Sequence, residues 1–273
     1  MDSPGRVRRC GKSHHQDRRT SPYYEWRECH IKAPNVGKWT KHLVMDRDRR
    51  LKEYLPETVL FEPESLWTQL EKYGSVMLKP SGGGGGAGII KVTSLEDSRY
   101  QVHAGNGRKI VSGKEETVRY VRSLFIPKPY LIQPYLSLGR IGGCPFDVRV
   151  MIQRYKGKPW VVTGFLAKLA GPGFIVTNIA RSRGKVLPLT LALARSNVDV
   201  PLDLLEEIKH VAQMTGECLG KKYPTLRMVG LDLGIDTTGK PWIIEANFRP
   251  SMSLFRKLPD LRAYRRIVKF RSK

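Results

Sequence analysis

Two stretches of the chain bring together residue types that handle charged oxygen. The first is Lys79-Pro-Ser-Gly-Gly-Gly-Gly-Gly-Ala-Gly88. Glycines have no Cβ, so the backbone can approach a polyanion closely and turn several N–H groups toward its phosphates. The run lies between two apolar segments, which favours a phosphate-binding hairpin over a flexible linker. Gly83, Gly85 and Gly88 satisfy G-x-G-x-x-G, but a dinucleotide fold needs a helix next, and Ile89-Ile-Lys-Val92 reads as β. The glycine run is not followed by the Gly-Lys-Ser/Thr of a P-loop, and the chain has no His-Arg-Asp of a protein kinase. What remains is a strand carrying Lys79, followed by a glycine-rich hairpin.

The second stretch runs from Gly230-Leu-Asp232 to Trp242-Ile-Ile-Glu245-Ala-Asn247. Two apolar strands joined at Thr-Thr-Gly-Lys240 bring Asp232 opposite residues 244–245, to within one residue of register. Alternation sets Glu245 and Asn247 on one face. Oxygens of Asp, Glu and Asn at one spot suit Mg²⁺, whose remaining positions go to phosphate and water; buried carboxylates with no cation would be costly. A surface hairpin with solvated acids describes Asp236, beside the turn, better than Glu245. Between the two stretches lie Asp147, Arg149, Lys168, Asn178, Arg181 and Arg183. Phosphoryl transfer needs cations against developing charge, and Arg149, alternating with Val148 and Val150, is the best placed to point inward.

The pattern predicts the elements that hold these residues. After an irregular basic leader over residues 1–35, apolar spacing predicts a helix from Lys38 to Leu55, a short strand at residues 58–61 and a helix from Glu62 to Tyr73. Strands follow at Ser75–Lys79 and Ile89–Val92, then a hairpin over residues 100–111 and a helix at 115–125. An extended segment at 129–136 precedes two longer strands, Phe146–Tyr155 and Pro159–Leu169. A helix spans Leu202–Lys221, and the carboxylate hairpin comes last. Short antiparallel strands with segregated helices make the fold α+β. A C-terminal basic segment, residues 259–273, forms an amphipathic helix that docks through Leu261, Tyr264 and Val268.

Composition narrows the classes. The chain has 273 residues and a net charge of +23, with 40% hydrophobic residues, too many for a disordered basic tail. No apolar run reaches the roughly 18 residues of a membrane span, and the first thirty residues lack the apolar core of a secretory signal; the expectation is a cytoplasmic protein with no membrane insertion. The charge is uneven: residues 249–273 carry nine basic side chains and one acidic, residues 1–35 eight and four. Basicity suggests polyanionic partners, but no nucleic-acid-binding pattern is present, which argues against nucleic acid. Cys10, Cys29, Cys144 and Cys218 form no CxxC pair, and Cys10, His14, His15, Cys29 and His30 match no zinc-finger spacing.

Taken in order, these residues resemble the ATP-grasp superfamily. The resemblance rests on Gly-Lys38-Trp-Thr-Lys41, Leu-Pro-Glu-Thr58, Val-Met-Leu-Lys79-Pro with the glycine loop, Leu-Ile-Gln133-Pro-Tyr-Leu136, Phe-Asp147-Val-Arg149-Val, and Asp232 with Glu245-Ala-Asn247. It covers residues 36–258 and is similar in its closing hairpin to the spore-coat-associated YheC/YheD branch. It implies two α+β subdomains clasping a nucleotide, 36–135 and 136–258. It also implies that Lys38 or Lys41, together with Lys79, contacts ATP phosphates under Gly83, Gly84, Gly85 and Gly86. Gln133, Tyr135 and Leu136 would line the adenine pocket, and Asp232, Glu245 and Asn247 would hold Mg²⁺. Arg149 and Lys79 would be catalytic, with Arg149 stabilising the transferred phosphoryl group. The implied activity is a carboxylate–amine/thiol ligase working through an acyl-phosphate on an unidentified carboxylate acceptor.

Three features depart from the pattern. Gln133 stands where a carboxylate is common. Residues 178–184, Asn-Ile-Ala-Arg-Ser-Arg-Gly, replace a glycine-paired turn, and only about 35 residues precede the match. On this reading the acceptor site is incomplete or supplied by a protein partner. A rival expectation is a non-catalytic, spore-coat-associated structural protein that keeps the fold.

Overall fold

The computed structural model describes residues 37–177 and 179–271. The leader, the Cys10–His30 group and Asn178 lie outside the described residues, as does the side chain of Arg181. In chain order the elements are α1 (Lys38–Asp46), β1 (Val59–Leu60), α2 (Pro63–Tyr73), β2 (Ser75–Pro80), β3 (Ile90–Ser94), β4 (Arg99–Ala104) and β5 (Gly107–Ser112). They continue with α3 (Lys114–Ser123), β6 (Tyr130–Pro134), β7 (Arg140–Ile141), β8 (Cys144–Gln153), β9 (Val161–Leu169), α4 (Ile179–Ser182) and β10 (Lys185–Leu187). α5 (Leu189–Ala194), α6 (Leu204–Lys222), β11 (Met228–Ile235), β12 (Pro241–Asn247) and α7 (Arg262–Arg271) complete the chain. The architecture is α+β, with two antiparallel sheets ordered β1-β6-β2-β3-β4-β5 and β10-β9-β8-β11-β12.

In the first sheet one face is apolar. Val76, Leu78, Ile90, Val92, Val102 and Ile132 pack against Leu66 and Leu70 of α2 and Val121 of α3. Strand alternation therefore turns Met77, Lys79, Lys91, His103 and Gln133 to the other face. The helix α2 starts on Pro63 at its first turn and ends at Gly74, whose φ of 67° is open to glycine.

The second sheet divides its labour along β8. Phe146, Val148, Val150 and Ile152 join Ile208, Val211 and Leu219 of α6 in the larger core. The intervening residues run from Asp147 and Arg149 to Met151 and Gln153, all buried. Met151 and Leu166 are covered by Phe255 and Ile267, which lie in the 3₁₀ turn Ser253–Lys257 and in α7. Gly164 permits that approach, because a Cβ there would come within 3.1 Å of both Ala263 and Phe255. One sheet face is thus apolar where the C-terminal helix sits and charged where it is left open.

Several boundaries differ from the sequence reading. The first helix stops at Asp46 rather than Leu55, and a 3₁₀ turn at Lys52–Tyr54 follows. Asp48 takes the Arg50 N–H and guanidinium through its carboxylate, a local bond that competes with helix continuation. Met45, Leu51 and Leu55 belong to the larger core, so α1 packs with the second sheet although it precedes the first in the chain. The C-terminal helix docks through Ala263, Tyr264 and Ile267, and Leu261 is 36% exposed. The expected contact through Leu261 is corrected: it precedes the first helical turn and stays exposed.

Phe255 is fully buried under the open edge of the charged face. Phe255→Ala is expected to cost about 3–5 kcal/mol, read as a lowered urea midpoint with early loss of amide protection in α7.

Candidate active site

A cavity of about 410 Å³ opens between the two sheets. Lys79, Gly84, Gly85, Gly86, Gln133, Tyr135, Leu136, Arg149, Asp232, Glu245 and Asn247 all reach its wall. Lys38 and Lys41 line a smaller recess behind it that shares Lys79, Gln133 and Glu245. Gly83 is joined to the group through its carbonyl, which accepts a hydrogen bond from Lys38 Nζ at 3.0 Å.

At the glycine end, Lys79 Nζ donates to Gln133 Oε1 at 2.7 Å, and Gln133 Nε2 donates to Thr58 Oγ1 at 2.8 Å. The Thr58 hydroxyl donates in turn to the Pro56 carbonyl at 2.9 Å. An amide rather than a carboxylate thus faces the ammonium. Burial pushes Lys79 down to about 8, Lys38 adds to the fall, and Glu245 opposes it. Lys38 also lies 3.3 Å from Glu245 Oε1, so it ties the glycine hairpin to β12. Lys41 is buried and donates to the Ala246 carbonyl. Of the two candidate lysines, Lys38 faces the glycine loop and Lys41 secures the backbone of β12.

The glycine hairpin takes left-handed φ values at Gly83, Gly85, Gly86 and Gly88. Gly88 has a second reason to lack a side chain, since a Cβ would fall 2.5 Å from the Tyr130 hydroxyl.

The opposite wall is a charged row fixed by register. Asp232 pairs with Arg149 on β8 and with Glu245 on β12, and Asp147 pairs with Lys168 on β9. Arg149 Nε and Nη2 donate to Asp232 Oδ1 and Oδ2 at 2.7 and 2.9 Å. Lys168 Nζ sits 3.0 Å from both Asp147 and Asp232. Asn247 Nδ2 donates to Asp232 Oδ2 at 3.3 Å, and Thr177 donates to Asp147 Oδ2. Burial resists ionisation of Asp232, but Lys168 and Arg149 outweigh it and hold the carboxyl below the usual range. Asp147 moves the other way, raised by burial and by the Asp232 charge against the pull of Lys168. One carboxylate of the pair is firmly ionised and the other holds its proton more tightly.

A bulge between Asp232 and Leu233 leaves Ile244 without a partner and turns both Ile244 and Glu245 to the cavity. Ile244, Met77, Pro134 and Leu136 form its apolar end. The donor set fits a hard divalent cation: Glu245 and Asn247 face the cavity beside Asp232, and their oxygens are of the right class. Among the described residues no three His, Cys, Asp or Glu side chains gather for a metal, so the Asn247 amide oxygen would complete the set. Both Asp232 oxygens already accept from cations, so a metal there would compete with Arg149 or Lys168.

Sequence reasoning did not single out Thr58, Met77, Thr177 or Ile244 for the site. Met77 was accessible in principle, being two residues before Lys79 on one strand. Ile244 depends on the bulge and Thr58 on the pairing of Val59 with Ile132, neither of which composition encodes.

Asp232→Asn is expected to lower stability by about 3–5 kcal/mol, because Arg149 would be left buried without its anion and Lys168 with Asp147 alone. Glu245→Gln should stay within about 1 kcal/mol, since its Lys38 pair is partly exposed. Urea denaturation of the two variants tests the contrast.

The YheC/D-like ATP-grasp family model matches residues 30–271. Endospore coat-associated protein YheD of Bacillus subtilis is 27% identical over 242 residues, covering 86% of this chain and 52% of YheD. Endospore coat-associated protein YheC of the same organism is 24% identical over 264 residues, covering 92% and 71%. The chain therefore spans about half the length of YheD. Among solved structures, ATP-grasp ligase PsnB, complexed with precursor peptide PsnA2 and AMPPNP, aligns at 15% identity over 88% of this chain and 60% of PsnB, with TM-score 0.48. N5-carboxyaminoimidazole ribonucleotide synthetase from Thermotoga maritima aligns at 13% identity over 79% and 42%, with TM-score 0.42. The chain belongs to the YheC/D-like ATP-grasp family.

Proposed function

We propose that this YheC/D-like ATP-grasp chain binds ATP with Mg²⁺ and acts as a carboxylate–amine/thiol ligase. The observation that carries the reading is the single cavity onto which the glycine hairpin, Lys79 and the Asp232/Glu245/Asn247 set all converge. In this reading the adenine lies at the apolar end, against Met77, Tyr135, Leu136 and Ile244. Lys79, Lys38 and the N–H groups of Gly83, Gly84, Gly85 and Gly86 take the phosphates. Asp232, Glu245 and Asn247 would hold Mg²⁺, which when bound would neutralise phosphate charge. Arg149, held at a fixed angle by Asp232, faces the charge that develops on the transferred phosphoryl group.

The acceptor end lies between Ile175 and Thr177 on one side and Arg249, Ser251 and Ser253 on the other. An acceptor carboxylate oxygen would bond to the γ-phosphorus as the bond to ADP breaks. An amine or thiol would then attack the acyl carbon, releasing phosphate and a proton. Closure of the glycine hairpin would keep water from the acyl-phosphate. A second reading has one observation in its favour: Asp232 is charge-balanced by Arg149 and Lys168 with no metal. Combined with the coat-associated names of YheD and YheC, this suits a spore-associated structural protein that retains the fold. ADP release on supplying carboxylic acids and amines separates the two, since a structural protein would bind ATP without turnover.

Titration calorimetry should show ATP binding that depends on Mg²⁺ and weakens at least roughly tenfold in Glu245→Ala, about 1.4 kcal/mol. No binding, or binding indifferent to that substitution, sinks the nucleotide site. Lys79 adds a pH signature. It titrates near 8 in the free protein, and a triphosphate favours its charged form. Binding near pH 8 to 9 should take up a proton, and affinity should fall as pH rises through that range. Calorimetry in buffers of differing ionisation heat reads the uptake, which should vanish in Lys79→Met.

A further inference from the structure

Beyond Met77 the same face of the first sheet continues as a row of basic side chains. Register places Met77 opposite Lys91, Lys91 opposite His103, and His103 opposite Arg108, on four adjacent strands. Lys91 and Arg108 thus flank a histidine on either side, and no acid stands in the row. Arg140 joins them from β7. Its Nη2 donates to the Tyr135 hydroxyl at 2.9 Å, while Lys91 Nζ stands 3.5 Å over the centroid of the same ring. Among the described residues no carboxylate pairs with Lys91, Arg108 or Arg140. His103 is 4% exposed, and its Nε2 has no hydrogen-bond partner. Burial and the neighbouring Arg108 lower the His103 ring from its ordinary range, with Lys91 contributing and a hydrogen bond to the Gly105 backbone opposing. Lys91 is lowered by burial, then by Arg140 and Arg108.

We propose that Lys91, His103, Arg108 and Arg140 form a second anion site, outside the nucleotide cavity, for an oxyanion group, phosphoryl or carboxylate, carried by a ligand lying across the first sheet. An oxyanion has acceptors for all four groups at once. It offsets the charges of Lys91, Arg108 and Arg140 and, as His103 takes up a proton, supplies the missing partner of Nε2. The neighbouring cavity wall does not provide these partners: the ion pairs of Asp147, Asp232 and Glu245 go to Arg149, Lys168 and Lys38. The site stands on its own geometry and does not depend on the nucleotide reading.

Histidine-ring ¹⁵N spectra of the full chain test the site, with His103→Gln assigning the resonance. Inorganic phosphate and glutarate are titrated separately, each with and without a saturating non-hydrolysable ATP analogue and Mg²⁺. Either anion should move the His103 ring signals saturably toward the protonated form, with nucleotide present. The midpoint should rise roughly tenfold in Arg108→Ala, a solvent-facing substitution, a loss of about 1.4 kcal/mol. A response to phosphate identifies a phosphoryl ligand, and a response to glutarate alone a carboxylate. The inference is overturned if neither anion moves His103, if nucleotide abolishes the response, or if Arg108→Ala leaves the midpoint unchanged. Should the chain bind no ATP, the titration without nucleotide still reads the site.

Discussion

The buried carboxylate of Asp232 organises the second sheet. An isolated ionised carboxylate at that depth would cost several kcal/mol even after relaxation, so its partners are not optional. Arg149 must lie across one strand interface and Lys168 one strand further, and each does. That requirement fixes the register of β8, β9 and β11 at the point where the cavity opens. Arg149 needs Asp232 just as strongly, so the pair holds a guanidinium rigidly on the cavity face of the sheet. The fork of two hydrogen bonds sets its orientation as well as its position.

The sheet face that carries these charges has a sharp end. From Asp147 and Arg149 the same line of side chains passes to Met151 and Gln153. Phe255 and Ile267 seal that part, and Gln153 Nε2 donates to the Ile267 carbonyl at 3.1 Å. The C-terminal helix therefore does more than add basic charge. It closes the apolar half of a face whose polar half must stay open, and much of its own charge projects to solvent from a helix docked by Tyr264 and Ile267. Arg262, Arg265, Arg266 and Lys269 are exposed, so their charge is accounted for without a polyanion in the cavity.

Much of this was legible from the amino-acid order, and the limits have physical causes. The opposition of Asp232 and Glu245 followed from two apolar strands and a short turn, and the observed register is the 245 alternative. The bulge beside it, which adds Ile244 to the wall, is a one-residue irregularity that alternation cannot show. The placement of α1 with the second sheet was also hidden, because amphipathic spacing reveals which face is apolar but not which partner receives it. Lys38 and Lys41 were indistinguishable in sequence. Three residues along a helix separate a side chain that reaches the glycine loop from one that anchors to the backbone of β12.

The two ends of the molecule handle positive charge in opposite ways, and the contrast bears on what the first sheet is for. In the second sheet Arg149 and Lys168 are saturated by Asp147 and Asp232, and burial alone would not tolerate them otherwise. In the first sheet Lys79 faces a neutral amide, and Lys91, His103 and Arg108 face one another. A sheet built only for stability would place acids or apolar residues in that row, since cross-strand pairs of opposite sign are favourable. Inside the cavity, Lys79 beside a neutral amide on one wall and balanced ion pairs on the other create a field directed across it. An anion entering there is drawn to the first sheet and held against a rigid second one, which is the asymmetry a charged, multi-group ligand requires.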